Sequence, residues 1–276
     1  MQTTKQYMAA PLPFQGQKRN LAKQFKAALN KRTPPKVYVD LFGGSGLLSR
    51  IAKDVHPQAT VVYNDYDNYR QRIQHIPATN RVLNDIRKMV VDLPAKTRIP
   101  QIIKNKIIER IEQETGYLDY ITLSTYLLFS MNFVNSLEEL KKQTFYNRVR
   151  HTEIPEAKDY LKGLEVVFYD YRELFERYNG SDQVVFIVDP PYLSTDCGSY
   201  KNYWKLKEHL DVLKVLKGGR YIYFTSNKSN VVELCEWIET NTGGVNPFYN
   251  AETISRTNIV NYQSSYSDIM LIDWEI

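Results

Sequence analysis

An α/β fold, a mostly parallel sheet carrying a largely helical insertion, is what three stretches of the sequence predict. KVYVDLFGGSGLLSRIAKDV, from Lys36, reads as strand, glycine turn and helix. ATVVYNDYDNYRQRI, from Ala59, repeats the pattern as strand, acidic end and helix. VVFIVDPPYLS, Val184 to Ser194, is an apolar run that stops at two prolines. Proline cannot donate to a sheet ladder, so the strand ends there in a stiff turn. Strands alternating with helices build a parallel sheet.

The remaining elements follow in order. KRNLAKQFKAALN spaces Leu21, Phe25, Ala28 and Leu29 along one helix face, and Pro34-Pro35 then break the chain. From Pro77 to Lys162 the strand–helix alternation lapses. QIIKNKIIERIEQE and DYITLSTYLLFSMNFVNS read as helices, followed by the polar KKQTFYNRVRHTEIPEAKDYL. After Gly163 the alternation returns: LEVVFYDYRELFERY, QVVFIVDPPY, YWKLKEHLDVLKVL, RYIYFTSN, VVELCEWIETN and a last strand, SDIMLIDWEI. This organisation predicts one domain from residues 1–75 and 163–276, with 76–162 inserted.

Composition bounds the function. With 276 residues, 43% of them hydrophobic, the chain can bury a full core plus an insertion. Mean hydropathy is −0.45 and no apolar run approaches a membrane span. The first twenty residues lack the apolar middle of a signal peptide. Cys197 and Cys235 are the only cysteines, without a CxxC, which suits a reducing compartment and no structural zinc. Four scattered histidines give no metal-ligand cluster, and no metal is expected. Residues 1–75 carry net +8, 76–162 net +3 and 163–276 net −6. A basic first half suits a polyanionic partner, although an ordinary solvated surface would look the same.

The glycine loop argues against a dinucleotide. From Gly44 the pattern GxGxxG fails at Ser49, and no GxxxxGK[ST] is present. Gly43, Gly44 and Gly46 still let the backbone turn tightly and approach a ligand. Asp40, just ahead of the loop, would repel a pyrophosphate and welcome an ammonium group. Asp65 ends the second strand about 20 residues on, where a carboxylate can hold ribose hydroxyls. Asp170 and Tyr171 end the next strand, where an adenine ring can be gripped. Asp189 ends the one after. Each carboxylate alone reads more readily as a turn or helix cap. Four at successive strand ends imply a ligand with a cationic amino-acid end, a ribose and an adenine. S-adenosyl-L-methionine fits.

With DLFGGSG followed by DPPY, the sequence resembles Dam-type DNA adenine-N6 methyltransferases, over roughly 11–75 and 163–230. PFQGQKR, with Phe14 and Lys18 four apart, looks like that family's N-terminal cofactor motif. YNDYD looks like its ribose motif and FYDYREL like its adenine motif, while FTSN and SDIMLIDW resemble its later strands. The resemblance implies a Rossmann-like S-adenosylmethionine-dependent methyltransferase sheet. Residues 1–75 and 163–276 would be its catalytic domain and 76–162 an inserted target-recognition domain. It implies that Asp189, Pro190 and Tyr192 are catalytic. The cofactor set would be Phe14, Lys18, Asp40, Phe42, Gly43, Gly44, Gly46, Asp65, Asp170, Tyr171 and Asp189. The Asp189 carboxylate and the Pro190 carbonyl would accept the two amino hydrogens of a flipped adenine, with Tyr192 stacked on the base.

In the insertion, Lys141, Lys142, Asn147, Arg148 and Arg150 are candidates for phosphate or base contacts, or simply a solvated charge run. Arg256 is a weaker candidate, and His209 reads as a packing or helix-surface residue. Family members that read GATC carry an FNVPxG run. The comparable stretch here is TFYNRVRHTEIP, so GATC specificity is not implied. Duplex DNA is the expected partner, with a cognate restriction endonuclease left open. The expected state is a monomer or weak dimer in the cytoplasm, bacterial or phage-encoded. An RNA adenine-N6 methyltransferase and a non-catalytic binding module are the rival readings. Cytosine-N4 chemistry is disfavoured because that group typically has Ser in place of Asp189.

Overall fold

The apolar strand cores that start at Val37, Val61 and Val184 run out into Asp40, Asn64 and Asp189, which sets a polar edge along one side of the parallel sheet. A computed structural model describes residues 6–192, 205–261 and 264–275. Five strands lie parallel in the order β3 (Glu165–Val167), β2 (Thr60–Asn64), β1 (Val37–Asp40), β4 (Val184–Val188) and β5 (Arg220–Ser226). Beyond β5, β7 (Ser264–Asp273) pairs antiparallel, and β6 (Glu252–Asn261) closes the edge as its hairpin partner. The result is a Rossmann-like, mostly parallel seven-stranded sheet.

Two apolar layers cover the sheet, as the period-2 alternation of a doubly covered sheet requires. On one face, Tyr38, Val185, Ile187, Ile222, Phe224 and Met270 pack with α1 (Ala22–Asn30) and α2 (Leu47–Val55). On the other, Val39, Phe186 and Tyr223 pack with α8 (Tyr171–Tyr178), α9 (Leu206–Leu216) and α10 (Val231–Thr242). Asn64 stitches three strand ends together. Its side-chain amide donates to the carbonyls of Leu41 and Tyr169, 3.0 Å each, and its oxygen accepts the Tyr169 N–H at 3.0 Å.

The chain divides into two compact units. The first comprises Met1–Ala10, Gly16–Asp67 and Leu161–Ile276; the second comprises Pro11–Gln15 and Asn68–Tyr160. The second unit takes in five residues of the N-terminal segment together with Asn68–Tyr160. The cause is local. Tyr69, at the start of α3 (Tyr69–Gln74), exchanges 2.9 Å hydrogen bonds with the N–H and carbonyl of Leu12. Arg72 donates to the Pro13 carbonyl at 2.7 Å and to buried Asp119 at 3.0 Å. Asp119 also caps α6 (Tyr120–Leu127) by accepting the Thr122 N–H. Helices α4 (Ile76–Met89), α5 (Gln101–Glu112) and α7 (Leu137–Lys142) complete this unit.

Arg72→Met is expected to destabilise the second unit by about 3–5 kcal/mol, because it leaves Asp119 buried without its cation. Urea unfolding followed by circular dichroism would read the change; an unchanged midpoint would contradict it.

Two elements differ from expectation. The apolar run from Asp119 to Ser136 does not form one long helix. It leaves helical geometry at Leu128, and Met131 takes φ 71°, which a right-handed helix cannot include. Strand β6 was not anticipated, because ETISRTNIVN shows no apolar alternation and is held by its ladder to β7. Cys235 is buried and unbridged, and Cys197 lies outside the described residues, as does the chain just after Tyr192. Among the described residues, no helix is long and apolar enough to cross a membrane.

Candidate active site

Alternation along three strands places three carboxylates on one face of the sheet. Asp40 follows Tyr38 in β1, Asp189 follows Ile187 just past β4, and Asp268 precedes Met270 in β7. Lys18, in the turn ahead of α1, belongs with them. Its ammonium donates to the Gly16 carbonyl and pairs with Asp189 Oδ2, both at 2.7 Å, and lies 4.9 Å from the centre of the Tyr192 ring. Lys18 is only 7% exposed, so it is no surface lysine.

Both strand-end carboxylates are half satisfied. Asp189 gives Oδ2 to Lys18, while buried Oδ1 has no hydrogen-bond partner among the described residues. Asp40, 1% exposed, accepts the Ser49 hydroxyl at 2.6 Å through Oδ2, and its Oδ1 is likewise unpartnered. Leaving a buried acceptor unmet costs about 1–3 kcal/mol, so two such oxygens call for a cause, whether a water, an ion, a ligand or a catalytic role.

Burial pushes Asp189 up to about 6, against the opposing charge and hydrogen bond of Lys18 and with a further push from Asp268. It pushes Asp40 up to about 7. There the Ser49 hydroxyl, the Phe42 backbone N–H and Lys18 oppose it, and the charge on Asp189, which ionises first, adds to it.

The glycine loop is cut to a close fit. Gly44 and Gly46 have φ of 48° and 70°, the left-handed region that glycine reaches without strain. A Cβ on Gly43 would collide with the Tyr63 ring and come within 2.7 Å of the Asn64 carbonyl oxygen. The Tyr63 hydroxyl shares its proton between the Gly44 carbonyl, 2.8 Å away, and Asp65 Oδ1, 3.0 Å away, tying the loop to the end of β2. Gly43→Ala is expected to destabilise the fold by about 1–3 kcal/mol. Thermal melts would measure the loss, and a parental melting temperature would refute the prediction.

The other sequence candidates are placed differently. Phe14 belongs to the second unit, its ring edge-on to Tyr69 at 5.8 Å. Asp170 is exposed and caps α8, accepting the Arg172 N–H at 2.9 Å. Tyr171 is buried against Phe42, ring centres 4.9 Å apart. Asn147 is buried, and its amide donates to the Leu93 carbonyl at 2.8 Å, with Val90 and Pro94 at 3.5 Å, which braces the second unit.

Lys141 is engaged by Glu112 at 2.8 Å and Glu138 at 2.9 Å, and Lys142 is exposed. Arg148 donates to the Ser130 hydroxyl, and exposed Arg150 lies over the Tyr126 ring. Arg256 donates to the Asn20 carbonyl at 2.8 Å, and His209 is buried in α9. Sequence reasoning missed Asp268. Its signal was the alternation in SDIMLIDW, which puts the carboxylate on the same buried face as Met270 and Ile272.

A buried DPPY carboxylate with one open oxygen, beside a glycine loop and a second open carboxylate, agrees with what the whole chain is similar to. The family model for D12 class N6 adenine-specific DNA methyltransferases matches residues 14–228. A Haemophilus influenzae protein named "Putative methyltransferase" is 37% identical over 279 residues, covering 98% of this chain and 94% of the relative. The chain therefore belongs to the D12 class of N6 adenine-specific DNA methyltransferases, enzymes that methylate adenine in DNA.

Proposed function

We propose that this enzyme moves the methyl group of S-adenosyl-L-methionine to the N6 amino group of an adenine flipped out of duplex DNA. The observation that carries the reading is the buried, unpartnered Oδ1 of Asp189 at the DPPY turn. An adenine amino group is a poor nucleophile because its lone pair is delocalised into the ring. Asp189 Oδ1 accepts one N–H and the Pro190 carbonyl accepts the other, which favours a pyramidal nitrogen with a localised pair. The effect is positioning and electrostatic preorganisation. Tyr192 supplies the face on which the extruded base stacks. Flipping is required because the amino group is out of reach within a stacked duplex.

Methyltransferases of this family generally use S-adenosylmethionine, and the residues present fit it. Asp40 Oδ1, buried and unmet, suits the ammonium of its amino-acid end. Gly43, Gly44 and Gly46 leave room for close backbone approach, and Asp65 suits the ribose hydroxyls. Bound there, the cofactor supplies an electrophilic methyl on a sulfonium. The first unit would carry the chemistry and the second, through Arg148, Arg150 and Lys142, would meet the DNA. We place the enzyme with DNA in a bacterial or phage-infected cytoplasm, acting as a monomer or weak dimer.

The test is transfer of labelled methyl to unmethylated genomic DNA, followed by digestion to nucleosides. Label on N6-methyl-2′-deoxyadenosine is expected. Label on cytosine, on RNA in place of DNA, or on neither polymer despite cofactor binding would overturn the reading.

A further inference from the structure

Three carboxylates share one face with one ammonium, and that arithmetic has a mechanical consequence. Lys18 crowds the place the target base needs. It holds Oδ2 of Asp189, next to the open Oδ1, and it stands over the ring of Tyr192. Methyl transfer also places positive charge on the amino nitrogen before its proton leaves. An ammonium that stayed beside Asp189 would oppose that charge as it develops. The Lys18 side chain therefore needs a second counter-charge within reach of its stem.

We propose that Asp268 is a positioning residue for the reaction: it takes over the Lys18 ammonium when the target amine engages Asp189. The inference rests on the role of Asp189 given above. Asp268 is built for the task. It is 7% exposed, lies across the ladder from Ser226 at the end of β5, and is fixed by Asn258, whose side-chain N–H donates to Oδ2 at 2.7 Å. Burial raises its carboxyl, and Lys18 is the cation that pulls it back. It also acts on Asp189 through its charge.

Its other neighbours are accounted for. Arg256 stands opposite it in the β6–β7 ladder but donates to the Asn20 carbonyl. Lys228 lies over the ring of Tyr266, whose hydroxyl is raised by burial and by Asp268, with Lys18 and Arg19 opposing. Lys18 is thus the described cation that links Asp268 to the DPPY turn.

The experiment is a double-mutant cycle on the full-length enzyme, with methylation of unmethylated genomic DNA at saturating S-adenosyl-L-methionine. Asp268→Asn keeps an acceptor for Asn258 and removes only the charge. It is expected to bind the cofactor normally and to lower kcat by about tenfold. The acid limb of its rate profile should move to lower pH, because Asp189 loses a repelling neighbour. In a Lys18→Met background the same substitution should cost nothing further, and Asp268→Glu should recover part of the rate. Equal losses in both backgrounds, or an unshifted acid limb, would show that Asp268 serves the fold alone and would overturn the proposal. If Asp268→Asn does not fold, Asn258→Ala, which frees the carboxylate without discharging it, should lower kcat with the same dependence on Lys18; independence would overturn the proposal equally. Full activity in Asp189→Asn would instead remove the underlying reading, an outcome separate from the cycle.

Discussion

Asp189→Asn should lower methyl transfer by on the order of a hundredfold or more, well beyond any loss of affinity for S-adenosyl-L-methionine. The substitution preserves shape and changes one thing: the open Oδ1, buried and unpartnered, is joined or replaced by an N–H₂ that repels the amine it should receive. Cofactor affinity by calorimetry and label transfer in single turnovers separate the two effects. The parent enzyme should lose activity as pH falls through about 6, where Asp189 takes up a proton and loses an acceptor site. A variant with parental turnover would remove Asp189 from the chemistry, whatever its burial.

Asp40→Asn should move stability and binding in opposite directions. The folded carboxyl titrates near 7, well above its ordinary value of 3.8, with burial as the main cause. Between those two pH values the native state holds a proton that the unfolded state has released. Stability therefore falls as pH rises through that window, and above it the native state carries the full cost of a buried charge. Asparagine removes that cost. A rise in melting temperature of about 2–4 °C at pH 8 is expected, shrinking to nothing below pH 4. Affinity for S-adenosyl-L-methionine should drop by about tenfold or more, since a buried ammonium loses its counter-charge. A variant destabilised at pH 8, or one that binds as tightly as the parent, would count against the role given to Asp40.

Much of the fold was legible because proline and glycine punctuate the chain at strand ends. DPPY and DLFGGSG mark strand ends without any tertiary information, and the apolar runs before them fix which face the next residue joins. Lys18 was less legible. Its burial depends on Asp189, which is remote in sequence, and a lone lysine in a polar turn looks exposed. Asp170 matched a ligand position but is satisfied locally as a helix cap. Asn147 has the composition of a base-reading residue, and its amide donates to backbone carbonyls that no motif reveals. The helix misjudged at Leu128 failed for a related reason: apolar content is blind to the backbone reversal at Met131. Asp268 was legible in principle, since a carboxylate in phase with a buried stripe is the exception that needs a cause.

Pro11–Gln15 belongs with Asn68–Tyr160, although more than fifty residues of the other unit separate them in the chain. Inheritance of the second unit is therefore not a matter of one contiguous cassette. A chimaera that took only residues 68–160 from a relative would keep Leu12 and Pro13 and replace Tyr69 and Arg72, the side chains that satisfy their backbone groups. An exchange that keeps the unit whole has to carry both segments, 11–15 and 68–160.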